Sequence, residues 1–214
     1  MAFEDTCPAL KKFIVFEGID GSGTTTQLKR LASRLQAAGI PAFSTAEPTD
    51  RPEGQLIRRI LKGELPADPG TVAFLFAADR HEHLHGAEGI IQRLQRGEVI
   101  ICDRYVLSSL AYQGFTCGTS LPLHLNAFFP PPGLSFFFRI DPESAMRRVA
   151  QRKELEIYEV TEMQRRFAAE YERQIEEKQA AGWRIEIIDA KKPIAEIEET
   201  IFSLCIAYLD QERE

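Results

Sequence analysis

Five short apolar runs punctuate the chain, at residues 13–16, 42–45, 99–102, 136–140 and 184–188. Runs of that length bounded by polar and turn-forming residues predict buried strands, since a helix needs a longer amphipathic pattern. Helical spacing fills the intervals. Leu28, Leu31, Ala32 and Leu35 mark one helix, and residues 68–95 predict a single long amphipathic helix ending at Arg96-Gly97. Val160, Met163, Phe167, Tyr171 and Ile175 form a further stripe closed by Gly182. A last helix is expected to start near Pro193 and turn Ile194, Ile197, Ile201 and Leu204 inward, and the prolines of residues 130–133 read as the turn into the fourth strand. Strand and helix alternate from end to end, without internal repeat or low-complexity segment. The prediction is one α/β domain over residues 1–214: a five-stranded parallel sheet flanked by helices on both faces, in three layers. In such open sheets ligands bind beyond the carboxyl ends of the strands.

Composition narrows the classes. The 214 residues are 44% hydrophobic and 27% charged, ordinary for a globular protein. No run approaches the ~18 apolar residues of a membrane span. The first ten residues include Glu4 and Asp5 rather than the basic and apolar regions of a signal peptide. Cys7, Cys102, Cys117 and Cys205 are scattered without metal-type pairing, so a reduced, cytoplasmic setting without disulfides is expected. A net charge of −6 argues against nucleic acid as a partner.

The first chemical signal lies at residues 18–25, GIDGSGTT, after the first strand and before the first helix. It follows the phosphate-binding pattern GxxxxGK[ST] at Gly18, Gly23 and Thr25, with Thr24 in the lysine position. Glycines let backbone N–H groups converge on phosphate oxygens, and the helix N-terminus adds partial positive charge. Asp103 and Arg104 follow the third strand, where nucleotide-binding sheets place a Mg²⁺-supporting carboxylate and a forked phosphate donor; a strand-end salt bridge is the plainer reading. Phe76 and Arg80 share one helix face, suiting a base and its phosphate, or else a core ring with a snorkelling arginine. Ser109, Tyr112 and Gln113 offer polar contacts to a base or sugar, and the rigid loop of residues 47–54 presents Asp50 and Arg51 at the same edge. His81 and His85 also share a face, but no third metal ligand is nearby, so a solvated face is preferred. Glu17, at the end of the first strand, either touches ligand or orients loop arginines.

These blocks, FIVFEGIDGSG (13–23), EPTDRPEG (47–54), FAADRHEH (76–83) and DRYVLSSLAYQG (103–114), together resemble the thymidylate kinases, nucleoside-monophosphate kinases built on the P-loop fold. The resemblance covers most of the chain. It implies ATP-dependent phosphorylation of dTMP to dTDP with Mg²⁺, a small mobile lid near residues 150–160, and a homodimer packed through helices. It places Gly18, Ile19, Asp20, Gly21, Ser22, Gly23, Thr24, Thr25, Thr26 and Arg148 around ATP, with Asp20, Arg104 and Arg152 as catalytic groups. Phe76 would stack on thymine, Arg80 and Gln113 would contact the base region, and Tyr112 would lie against the deoxyribose. Arg51, Arg104 and Ser109 complete the acceptor set, and Thr25 and Asp103 would support the metal. Two positions depart from the family pattern. Thr24 replaces the lysine, and Gly21 stands where some members have arginine, which makes Arg148, Arg152 or Lys153 the candidate compensating cations. A kinase of another nucleoside monophosphate, or a nucleotide-binding module weakened by the lysine's loss, is the alternative.

Overall fold

The computed structural model describes residues 7–150, 158 and 160–212. All five predicted strands form: β1 (Leu10–Glu17), β2 (Ala42–Ala46), β3 (Val99–Asp103), β4 (Pro132–Arg139) and β5 (Ile185–Asp189). They pair in the order β2-β3-β1-β4-β5, every pair parallel. Alternate residues of the central strands feed separate cores on the two faces, as the period of two requires. Phe13, Val15, Ile100 and Cys102 pack with Leu84, Val106 and Leu110. Ile14, Phe16, Ile101 and Phe136 pack with Leu28, Leu31 and Leu35 and with Ile197, Ile201 and Cys205. A sheet buried on both sides needs such continuous apolar strands, which is why the runs were legible.

The helices are α1 (Thr24–Ala37), α2 (Pro52–Leu61), α3 (Pro69–His85), α4 (Ile90–Gln95), α5 (Val106–Cys117), α6 (Ser120–Asn126), α7 (Pro142–Val149), α8 (Thr161–Ala180) and α9 (Ile194–Gln211). The expected single helix over 68–95 is two. Asp68 caps α3 by accepting from the N–H groups of Gly70 and Thr71, as its position predicts. The chain then turns at Gly86 and Gly89, with Glu88 at φ 56°, before α4 begins. A Cβ at Gly86 would stand 2.6 Å from the Glu82 carbonyl, so glycine is what permits the break. The ends of two stripes also differ from expectation. Val160 and Ile194 lie at helix starts and are exposed, Leu204 is half-buried, and Cys205, Tyr208 and Leu209 complete the inward face of α9.

This topology sets the site. Phe16 is in register with Asp103, so the loop leaving β1 and the residues leaving β3 emerge side by side at the carboxyl edge. β2 ends next to them, with Ala46 opposite Asp103.

Candidate active site

A cleft of about 500 Å³ opens at that edge, within the size range of small-molecule sites. One end is formed by the 18–25 loop. Gly21 (φ 83°) and Gly23 (φ 99°) take left-handed conformations that other residues rarely adopt. Ile19, Asp20, Gly21, Gly23, Thr24, Thr25 and Thr26 line the cleft; buried Gly18 and Ser22 form the loop's rear, where a Cβ at Gly18 would stand 2.7 Å from Ser22 Oγ. Thr25 Oγ1 donates to Asp103 Oδ2 at 2.5 Å, while Asp103 Oδ1 is buried with no hydrogen-bond partner among the described residues. A carboxylate with one oxygen unpaired, beside a hydroxyl, is a donor set that fits a hard cation such as Mg²⁺. Among the described residues no group of three or more His, Cys, Asp or Glu is arranged to hold a metal, and His81 and His85 simply pack ring to ring at 4.7 Å.

The middle of the cleft is built on Asp20 and Arg104. Arg104 adopts φ 72°, an unfavourable region for a side chain with Cβ, and its N–H donates to Phe16 O at 2.8 Å. Its guanidinium donates to Asp20 Oδ1 at 2.5 Å. Asp20 Oδ2 accepts from Tyr112 OH at 2.9 Å and from Gln164 Nε2 at 2.7 Å. Gln164, wholly buried on α8, also donates to Tyr158 O and accepts from the Asp20 N–H. Glu17 does not line the cleft. Its carboxylate accepts from Tyr105 N–H at 3.0 Å, Ser108 Oγ at 2.6 Å and Tyr171 OH at 3.1 Å, which fixes the turn that presents Arg104. Burial pushes the Glu17 carboxyl above its ordinary range, against the opposing hydrogen bond from Ser108 and the charge of Arg104.

The far end is a buried polar network. Arg80, 1% exposed, donates through Nε (2.9 Å) and Nη2 (2.7 Å) to Glu47 Oε2, through Nη1 to Asn126 Oδ1, and to Ser109 Oγ at 3.1 Å. Glu47 Oε1 lies 3.0 Å from His83 Nδ1, and His83 Nε2 lies 2.7 Å from Thr45 Oγ1. Burial alone would raise the Glu47 carboxyl, but the Arg80 charge and the His83 contact outweigh it and hold the group below its ordinary range. Asp79 accepts from Thr49 N–H and Oγ1, anchoring the loop after β2. Phe76 is half-buried and faces the cleft with Arg80, Ser109, Tyr112 and Gln113. Gln113 Oε1 is buried with no hydrogen-bond partner among the described residues.

Most of the sequence-derived candidates therefore converge. Arg51 does not: its guanidinium donates to Glu82 Oε1 (2.7 Å) and Ala87 O (2.6 Å), away from the cleft. It precedes α2, and Glu82 near the end of α3 claims it. Arg58 lines the cleft instead, donating to Pro48 O with its Nε unpaired among the described residues. α2 reaches that position because Gly54 packs against Thr49, where a Cβ would stand 2.0 Å from the carbonyl oxygen. Arg148 also lies outside the lining and rests on the loop backbone. Arg152 and Lys153 lie outside the described residues, as does most of the segment expected to be a lid. Gln164, Asn126 and Arg58 were missed, and Glu47 was quoted within the 47–54 block without a role of its own.

Residues 16–201 match the family described as Thymidylate kinase. Similar proteins include a "Probable thymidylate kinase" from Pyrococcus horikoshii, 41% identical over 74% of this chain and 80% of its own length. A "Probable thymidylate kinase" from Pyrococcus abyssi is 36% identical over 90% and 94%, and a "Thymidylate kinase" from a Geobacillus species is 35% identical over 92% and 94%.

Proposed function

The chain belongs to the thymidylate kinase family, and from that premise we propose that it transfers the terminal phosphoryl group of ATP to dTMP, giving ADP and dTDP. The observation that carries this reading is that one cleft joins a phosphate-binding loop to an end lined by Gln113, whose Oε1 is buried with no hydrogen-bond partner among the described residues. A thymine N3–H satisfies that acceptor, and Phe76 supplies a flat apolar surface for the ring. Arg80 lies at the base end, held by Glu47 and Ser109.

Arg104 lies between the two ends and grips the acceptor phosphate, exchanging its contact with Asp20 for one with the nucleotide. Tyr112, whose hydroxyl holds the other oxygen of Asp20, lines the sugar region. The backbone of residues 18–25 and the start of α1 hold the donor phosphates. Thr25 and Asp103 are the residues that would hold Mg²⁺, which when bound neutralises charge on the donor phosphates. The acceptor is an ionised phosphate already, so the site needs no strong general base. Its work is alignment and charge placement.

Measured ADP release that depends on dTMP, and that exceeds release with dCMP or AMP, is the expected result. Preference for either of those acceptors would overturn the substrate. The alternative of a lapsed nucleotide-binding module draws on Thr24 alone; the complete acceptor end speaks against it. The described cysteines are all free, and no helix among the described residues is long and apolar enough to cross a membrane, which supports activity in the cytoplasm. Phe74 on α3 and Leu123 on α6 are exposed large apolar residues, and they support a two-fold homodimer, for which a solution mass twice the 24.2 kDa of the chain is the check.

A further inference from the structure

The loop of residues 18–26 contains one ionisable side chain, Asp20, and it is negative. Thr24 in the lysine position is neutral and buried. Any cation that serves the donor phosphates therefore comes from outside the loop. Two of those in the cleft are committed elsewhere, Arg80 to Glu47 and Arg104 to Asp20.

Arg148, in the last turn of α7, is placed differently. Its Nη1 lies 3.4 Å from both Gly21 O and Ser22 O, and its Nη2 lies 2.9 Å from Ala190 O. Among the described residues its acceptors are backbone carbonyls, and none of the described carboxylates pairs with it. A Cβ at Gly23 would stand 3.9 Å from Nη1. What lets α7 approach so closely is Gly21. A Cβ there would stand 2.3 Å from Ala145 O and 3.0 Å from Val149, and the φ of 83° already favours glycine. Glycine at 21 and arginine at 148 thus form a single arrangement.

We propose that Arg148 is a positioning residue that stands in for the missing loop lysine. A trans peptide points its C=O and N–H in opposite directions. Held on the carbonyl side of Ser22, the guanidinium aligns the Gly23 N–H toward the cleft, which Gly23 lines. It also places an arginine charge behind a loop whose own side chains carry no positive charge. The role of α7 is then to brace and charge the phosphate cradle from its outer face. This inference rests on reading the cleft as the site of the ATP phosphates.

The test is a double-mutant cycle between Arg148→Ala and Thr24→Lys. At saturating dTMP, Arg148→Ala should lower kcat/KM for ATP by about ten- to a hundredfold, the value of a charged hydrogen bond. In the Thr24→Lys background the loss should be clearly smaller, with the dTMP Kd unchanged in calorimetry. Equal losses in both backgrounds would overturn the proposal, as would coupling of Thr24→Lys to Lys62→Ala, the lysine that reaches the cleft from α2. Should Thr24→Lys fail to fold, inorganic tripolyphosphate binding to wild type and to Arg148→Ala decides alone. About tenfold weaker binding in the variant supports the role, and equal binding removes it. Absence of dTMP-dependent ADP release in the wild type would instead sink the kinase reading and leave the tripolyphosphate comparison intact.

Discussion

The two ends of the cleft are made in different ways. At the acceptor end, Arg80, Glu47, His83, Asn126 and Ser109 are buried side chains already bonded to one another before any ligand arrives. Under the proposed function the donor end works through backbone N–H groups, a helix terminus and one hydroxyl paired with Asp103. A side-chain network is specific because every member depends on the others, and it fails as a unit. A backbone cradle depends on glycine conformation and tolerates the loss of a side chain that acted only as a charge. The departure from the GxxxxGK[ST] pattern, Thr24, falls in the end built from backbone. That is the end where a substitution is cheapest.

The sharpest way to break this contrast is Glu47→Gln. It keeps the shape but leaves Arg80 buried without its counter-charge, so a loss of about 3–5 kcal/mol in stability is expected, read as a thermal midpoint lower by on the order of 10 °C. The pH dependence provides a second reading of the same pair. Glu47 has a depressed folded pKa, so its stabilisation is present above the unfolded value of ~4.3 and is lost as pH falls through the lower folded value. Glu17 has a raised one, so its contribution is fully present below that unfolded value and disappears as pH rises through the folded value. Glu47→Gln should therefore flatten the acid limb of a midpoint-against-pH curve. An unchanged acid limb would show that the network is not charge-paired.

Arg104→Ala addresses the junction of the two ends. Removing a preorganised charged donor from a transferring phosphate costs about 10²–10³ in rate, and the loss should fall on kcat with dTMP saturating. It should be accompanied by a smaller change in stability, because the turn at residue 104 is held by the contacts of Glu17 with Tyr105 and Ser108 rather than by the Arg104 side chain. A fall in dTMP affinity alone, with kcat intact, would move Arg104 from the reacting phosphate to simple binding.

Much of this frame was legible from the order of residues. The strands were readable because a doubly covered parallel sheet demands unbroken apolar runs, and the loop at 18–25 was readable because its glycines recur at the spacing of a phosphate-binding turn between a strand and a helix. Phe76, Arg80, Asp103, Arg104, Tyr112 and Gln113 were found because they follow strands or share a helix turn. What escaped depends on distance along the chain. Gln164 meets Asp20 across 144 residues, and Asn126 meets Arg80 across 46, so no local spacing betrays either. Arg51 is expected at the cleft because its loop follows β2 at that edge, whereas the direction of its side chain is set by Glu82 on α3. The division of 68–95 into α3 and α4 was lost because the apolar period continues across Gly86 and Gly89.

Phe76→Leu is the mildest perturbation of the acceptor end, and it separates two roles that the ring combines. Half-buried, Phe76 packs against the main core on one side and lines the cleft on the other. Leucine preserves most of the apolar packing, so the thermal midpoint should move little. It removes the flat face, and an aromatic contact of about 0.5–1.5 kcal/mol corresponds to a rise in KM for dTMP of roughly two- to tenfold with kcat retained. The ratio of dTMP to dUMP turnover should stay within about fourfold in either protein, since one methyl group is worth ~0.8 kcal/mol wherever it is buried. A large drop in midpoint with unaltered KM would make Phe76 a core residue only, and base recognition would then fall entirely to Gln113 and Arg80.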